Sequence, residues 1–441
     1  MDNSVEVTEA RRRIEYLFDS GSFTEIDAFA KSADGEVEVI AGCGTIGEAG
    51  FCYAISQDVS VNGGAISVAQ CAKIKKVYKL AKKTGYPVIT IYDSNGVKLT
   101  EGFEALSAYG NLVKKVTALS GVVPQIAVVA GACVGTSALM ANMADVVIAV
   151  KDADFYVTAP SDVTVEESFS AGTVDIMTDT VEEALDAAKK VKALLPANNL
   201  EAVYFAADSS FAPAIQAADG ITAAQTVEAI ADASTVVELK AGYGKNVVTA
   251  LGAVMGQPVG FVAFDGKAVC PSCAYKAEAM IKLCDAYNIP IITVANADGL
   301  KKEKENQMLV AATKLTSAYA SATSAKISLV TGRSIGAAYI ILAGKGANAD
   351  LTFAWDSAVA SPLDVEAAVA FLYNDRLADG ENRAELEKEY IDTVGSPFTA
   401  AACGAVDDVF PAQATREKIA DALYMLSSKR ETTIARKHSV K

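Results

Sequence analysis

A chain of 441 residues is too long for one ordinary core, and at ~150 residues per domain it divides into two or three. Hydrophobic residues make up 51% and charged residues 21%, the balance of a globular protein, so disorder is excluded as the organising state. The formal net charge of −15 excludes nucleic acid and an anionic membrane surface as main partners, because both require a strong basic field.

The first stretch, Met1 to Arg13, is charged and lacks the apolar core of a signal peptide, so a cytoplasmic protein is expected. Ala72–Lys83 follows a helical pattern and is basic, carrying Lys73, Lys75, Lys76, Lys79, Lys82 and Lys83. Of these, Lys76, Lys79 and Lys83 share a face at helical spacing, and a solvated face is expected. Gly85-Tyr86-Pro87 then leads into the β-branched run Val88-Ile89-Thr90-Ile91, which predicts a strand. Val122–Met143 has no charged residue and could fill a membrane span of ~20 residues. Pro124 and Gln125 open it and Gly131 and Gly135 punctuate it, while Ile126–Ala130 is a short apolar run of the parallel-strand type. A buried strand, turn and helix are therefore expected, with no membrane insertion.

Comparing the chain with itself is the most informative step. Pro87 and its strand are echoed by Asn288-Ile289-Pro290-Ile291-Ile292-Thr293-Val294, again after a Lys-bearing helical pattern, Tyr275–Tyr287. Ile126–Ala130, Gly135 and Ala144-Asp145 likewise match Ile327–Val330, Gly336 and Ala349-Asp350, all at a separation of about 200 residues. The chain reads as one α/β fold written twice, as domains 1–210 and 211–441 joined in the Ala- and Asp-rich region after Leu195. In both copies the strands are continuous apolar runs, which implies sheets covered by helices.

The only histidine is His438, beside Lys437 near the end, so no Ser-His-Asp or Cys-His arrangement and no histidine-rich metal site can be built. The eight cysteines are scattered in apolar surroundings, as small buried hydrophobes of a reducing compartment would be. Cys270-Pro271-Ser272-Cys273 lacks the second pair that a structural zinc site needs. A buried helix start is favoured there over metal or redox chemistry, and no metal is expected. There is no GxxxxGK[ST] phosphate loop.

What recurs instead is a strand running into a Gly turn and then a helix, once through Gly131, Cys133, Gly135 and Thr136, and again through Gly332, Ser334, Gly336 and Ala337. The first N–H groups of a helix have no intrahelical acceptor and carry the positive dipole end, so each turn can hold an oxygen bearing negative charge. Two such turns imply two developing anions.

An ordered series of residues carries a resemblance. In the first half it runs through Asp19-Ser20-Gly21-Ser22-Phe23, Ser56-Gln57-Asp58 with Gly63-Gly64, Asp93-Ser94-Asn95-Gly96 ending in Glu101-Gly102, and Ser120–Gln125. In the second half it continues through Cys284–Pro290, Gly336-Ala337-Ala338-Tyr339, Phe353-Ala354-Trp355, Ala405–Val409 and the closing Lys429-Arg430-Glu431. The chain resembles the carboxyltransferase component of biotin-dependent acyl-CoA carboxylases and decarboxylases.

That resemblance implies two tandem crotonase-like (ββα spiral) domains. It implies carboxyl transfer between biotin, on a separate biotin carboxyl carrier protein, and a short-chain acyl-CoA, the coenzyme A thioester. The acyl-CoA would sit on the first domain and carboxybiotin on the second, facing each other across a subunit interface. Gly135 and Thr136 would hold the thioester oxygen, and Gly336 and Ala337 the ureido oxygen of biotin. Further contacts are expected at Gly96, Val97, Lys98, Gly131, Cys133, Gly332, Ser334 and Tyr339. Biotin carboxylase or decarboxylase subunits are the implied partners, in a homo-oligomer such as a hexamer built as a trimer of dimers.

Three departures from the family pattern stand out. Thr136 replaces the second glycine of the first turn. Lys98 replaces an arginine, keeping charge but losing a planar fork. Asn296–Glu303 replaces a proline-rich lid. Glu278-Ala279-Met280-Ile281-Lys282 looks briefly like a Met-Lys biotinylation site, but Ile281 separates the two and the segment reads as a helix. The basic helix from Lys73 to Lys83 has a sharper alternative role as a contact for CoA phosphates. A biotin-independent hydratase or hydrolase of the crotonase group, and a non-catalytic scaffold subunit, are the alternatives in function.

Overall fold

Both strand runs that follow a proline are central strands, Val88–Ser94 in one sheet and Ile291–Ala297 in another. The computed structural model describes residues 8–202, 215, 220–347 and 349–432. It divides into two compact units, Met1–Val203 and Tyr204–Lys441. The expected domain boundary at 210 and 211 lies outside the described residues, as do Lys437 and His438.

In the first unit the strands are β1 (Thr24–Glu25), β2 (Val39–Ile46), β3 (Gly50–Gln57), β4 (Val88–Ser94), β5 (Gln125–Val134), β6 (Val146–Val150), β7 (Asp154–Tyr156) and β8 (Ile176–Thr178). They form one sheet in the order β1-β2-β3-β4-β5-β6-β8, with β7 on the upper part of β5. β2 and β3 make an antiparallel hairpin, and the strands from β3 onward are parallel. The helices are α1 (Glu9–Leu17), α2 (Val68–Thr84), α3 (Gly102–Leu119), α4 (Thr136–Ala141), α5 (Val165–Ala171) and α6 (Val181–Leu194).

α2 shows why these residues fold as they do. The Ser67 hydroxyl caps its first turn and left-handed Gly85 ends it, while Cys71, Ile74, Val77, Tyr78 and Ala81 bury one stripe at helical spacing. The basic helix is only partly the expected solvated face. Lys76, Lys79, Lys82 and Lys83 are exposed, but Lys73 is buried, its ammonium bonded to the Val39 carbonyl at 2.9 Å and to Glu25 at 3.0 Å. Lys73 lies on the apolar stripe, one residue before Ile74, and its long stem carries the charge through the core to the sheet.

The second unit repeats this plan. α7 (Ala223–Ile230) opens it, followed by β9 (Val237–Leu239), β10 (Val247–Val254), β11 (Gln257–Phe264), α8 (Pro271–Ala286), β12 (Ile291–Ala297), α9 (Glu305–Ser321), β13 (Lys326–Ile335), α10 (Ala337–Leu342), β14 (Leu351–Trp355), β15 (Val359–Ser361) and, near the end, β16 (Asp408–Phe410). The sheet order is β9-β10-β11-β12-β13-β14-β16, with β15 on β13. Strand for strand this is the first sheet again, including the short extra strand, so the duplication read from the sequence is present in the topology. The uncharged stretch Val122–Met143 is β5, a turn and α4, as expected, and among the described residues no helix is long and apolar enough to cross a membrane.

Candidate active site in each unit

Each turn is shaped by a register break. β4 and β5 pair regularly to Tyr92 and Val129, then skip, so that Ser94 next opposes Cys133; β12 and β13 do the same between Ala295 and Ala297, where Ala297 opposes Ser334. The skipped residue lends its side chain to the ladder. Asp93 Oδ1 accepts the Ala132 N–H at 3.2 Å, and Asn296 Oδ1 accepts the Arg333 N–H at 3.2 Å. A Cβ at Gly131 would lie 2.4 Å from Asp93 Oδ1, and one at Gly332 would lie 2.4 Å from Asn296 Oδ1, so both positions are held to glycine by a neighbouring side chain.

Beyond the break the strand leaves its old neighbour and pairs with the short extra strand, Cys133 with Phe155 on β7 and Ser334 with Ala360 on β15. The chain then turns through Gly135 (φ 67°, ψ −129°) and Gly336 (φ 57°, ψ −126°), conformations that only glycine adopts without strain. The amides of these two glycines are already engaged: Gly135 donates to the Tyr156 carbonyl at 3.0 Å and Gly336 to the Ser361 carbonyl at 2.8 Å. Neither following helix is capped by a side chain. Among the described residues the first unpaired donors are therefore the amides of Thr136 and Ala337, each the first residue of its helix.

A second loop lies beside the first turn. A Cβ at Gly96 would be 3.4 Å from the Val134 carbonyl oxygen. The Ser94 hydroxyl accepts the Gly96 N–H at 3.0 Å, and a bridge joins Val97 to Ile66. The second unit has the matching bridge, Leu300 to Val269, with Lys301 donating to the Val269 carbonyl at 2.9 Å. The segment Asn296–Glu303 is thus anchored over its first half: Asn296 and Ala297 end β12, and Leu300 is bridged.

The remaining candidate residues sort by burial. The Cys133 side chain is fully buried, and desolvation pushes its thiol well above the ordinary range. Ser334 is equally buried and its hydroxyl has no hydrogen-bond partner among the described residues. Tyr339 is half-buried on α10, its hydroxyl donating to the Ala405 carbonyl at 3.1 Å. The Lys98 ammonium is ion-paired with Asp34, which raises its pKa, and lies 3.5 Å from the buried carboxylate of Glu38. Lys282 lies on α8 and pairs with Glu278 at 2.6 Å, so the Met-Lys lookalike is helical, as its pattern suggested. Sequence reasoning quoted Asp93 and Asn296 only within longer segments and missed their role, although both are polar residues one place before the ends of apolar strands, at equivalent places in the repeat. It also missed the carbonyls of Tyr156 and Ser361.

The chain belongs to the family described as carboxyl transferase domain, whose model matches residues 8–441. It is 32% identical to the methylmalonyl-CoA carboxyltransferase 12S subunit of Propionibacterium freudenreichii subsp. shermanii, over 97% of this chain and 90% of the relative. It is 31% identical to the propionyl-CoA carboxylase beta chain of Saccharopolyspora erythraea, over 97% and 89%. The solved structure of transcarboxylase 12S, a hexamer assembly with methylmalonyl-coenzyme A and methylmalonic acid bound, superposes with a TM-score of 0.91 at 32% identity, covering 98% of this chain and 91% of the other. The fold is the tandem crotonase-like one, and the chain is an enzyme of the acyl-CoA carboxyltransferase class.

Proposed function

We propose that the protein moves a carboxyl group between biotin, carried on a separate protein, and a short-chain acyl-CoA, with one oxyanion hole per unit. In the first unit the amide of Thr136 points at the acyl thioester oxygen, with that of Val97 as the second donor. In the second unit the amides of Ala337 and Leu300 do the same for the ureido oxygen of biotin. The carrying observation is that in both units the glycine amide is tied to a short extra strand, which leaves the next amide as an uncapped donor at a helix start.

Fixed donors of this kind favour charge that develops during reaction, because they need no reorganisation when it appears. The first turn, Gly131–Ser137, carries no basic side chain, and the one in the second turn, Arg333, is a guanidinium already paired with Asp298 and Asp364. The turns themselves therefore bind, orient and stabilise, and the first offers no basic side chain to accept the acyl α-proton. Biotin, when bound, supplies the transferable carboxyl group. Gly131, Cys133, Gly332 and Ser334 shape the turns from within. Gly96 lets the Val97 loop approach, while Lys98 and Tyr339 hold the walls through Asp34 and Ala405. Partners of the carrier and biotin carboxylase or decarboxylase kind, and a homo-hexamer, are supported by the similarity to the 12S protein.

Proline is tolerated at the first position of a helix and removes only the N–H. Thr136→Pro and Ala337→Pro are expected to lower kcat for carboxyl transfer from methylmalonyl-CoA to biotin by ~10²–10³ with little change in thermal unfolding. Unchanged rates would remove those amides from the site. Turnover of acyl-CoA in the absence of biotin would instead support a crotonase-type hydratase or hydrolase.

A further inference from the structure

α2 and α8 occupy the same place in the two units, but their first turns differ in chemistry. In the first unit Ser67 is the cap: its oxygen accepts the Gln70 N–H at 3.3 Å, and its hydroxyl donates to Glu38. In the second unit the cap is Cys270, whose sulfur accepts the Cys273 N–H at 3.4 Å, with Pro271 as the first helical residue. A hydroxyl suffices for capping, as the first unit demonstrates, so capping alone does not account for two thiols.

The two thiols are in direct contact, with Cys270 Sγ 2.8 Å from Cys273 Sγ, and the Ser272 hydroxyl lies 3.1 Å from Cys270 Sγ. Cys270 is partly exposed and Cys273 is buried. This is the asymmetry of an attacking thiol and a resolving thiol. The hydrogen bond from Cys273, then that from Ser272, hold the Cys270 thiol below the ordinary range, while the same pairing and burial push Cys273 above it. Of the other six cysteines, Cys52, Cys71, Cys133 and Cys284 are buried, Cys43 is partly buried and Cys403 is exposed; Cys43 and Cys52 lie on neighbouring strands of one hairpin, but among the described residues none of the six has a second thiol among its hydrogen-bond contacts.

We infer that Cys270 and Cys273 form a redox-active dithiol at the start of α8, which exchanges with small-molecule disulfides. The Cys270 thiolate attacks one sulfur of the disulfide RSSR, forming Cys270–S–SR and releasing RS⁻. Cys273 then loses its proton to RS⁻ and attacks Cys270 Sγ, so that the Cys270–Cys273 bond forms and a second RS⁻ leaves, taking its proton from solvent. Two protein thiols are oxidised and one RSSR is reduced to two RSH. The inference does not depend on the oxyanion-hole reading.

The test is equilibration of the full-length protein with excess oxidised glutathione, followed by alkylation and peptide mass spectrometry. The natural chain is expected to lose two hydrogens within the peptide that holds Cys270 and Cys273 and to resist alkylation at both. Cys403 should carry at most a mixed disulfide. Cys273→Ser should stop at glutathione on Cys270, and Cys270→Ser should leave Cys273 reduced. Full alkylation of both thiols in the natural chain, or a persistent mixed disulfide on its Cys270, would overturn the proposal. Thermal unfolding of both serine variants close to that of the natural chain would establish that the outcome reports thiol chemistry and not misfolding.

Discussion

Asp93 does two jobs that its counterpart in the second unit divides differently. Its carboxylate closes the register break by accepting the Ala132 N–H, and it also pairs with Arg13 at 2.8 Å, with both side chains largely out of solvent. Asn296 performs the first job without a charge. Removing one partner of a buried ion pair costs more than the pair contributes, because the other charge is left uncompensated. Asp93→Ala should therefore destabilise the first unit by about 3–5 kcal/mol in urea unfolding. Asp93→Asn, which keeps an acceptor for Ala132, should cost less; equal costs would mean that the backbone bond contributes nothing. The turn glycines were legible from the sequence as small residues at a strand end. The reason for Gly131 and Gly332 was not, because it lies in side chains that are adjacent only after the sheet has formed.

At the scale of the element, the repeated helix after the hairpin is pinned to its sheet by a buried lysine. Lys73 on α2 reaches the Val39 carbonyl, and Lys276 on α8 reaches the Val247 carbonyl at 2.8 Å, with Glu238 at 3.6 Å. Burial holds the Lys276 ammonium below the ordinary lysine range. In the unfolded chain it titrates near ~10.4, so between the depressed folded value and that limit the unfolded state binds more protons and this group makes stability rise with pH. Below the folded value its contribution is constant. Lys276→Met should flatten the rise when urea unfolding is followed from neutral pH to about 10. A steeper rise in the variant would contradict the assignment. The helices themselves were readable from their apolar stripes, but the pins were not. A lysine in a basic stretch reads as solvated unless its place on the stripe is weighed against the length of its stem.

For the whole molecule, the duplication was the most legible feature, since Pro87 and Pro290 mark the starts of equivalent central strands, β4 and β12. What the repeat could not foretell was the pair of three-residue strands, β7 and β15, too short to carry a periodic signal. With a separate sheet and core in each of the units Met1–Val203 and Tyr204–Lys441, calorimetry is expected to resolve two transitions, and Asp93→Asn should lower only one of them. A single transition shifted as a whole would show that the units unfold together.

Those two short strands have a consequence for amide exchange. Because β7 and β15 occupy the N–H of Gly135 and Gly336 and leave the next one free, deuterium uptake should change abruptly across one peptide bond in each unit, slow at the glycine and fast at Thr136 or Ala337. A thioester docked in the first unit would then slow labelling at Thr136 and leave Ala337 untouched, so isotope labelling could assign each reagent to its own half of the chain without any turnover.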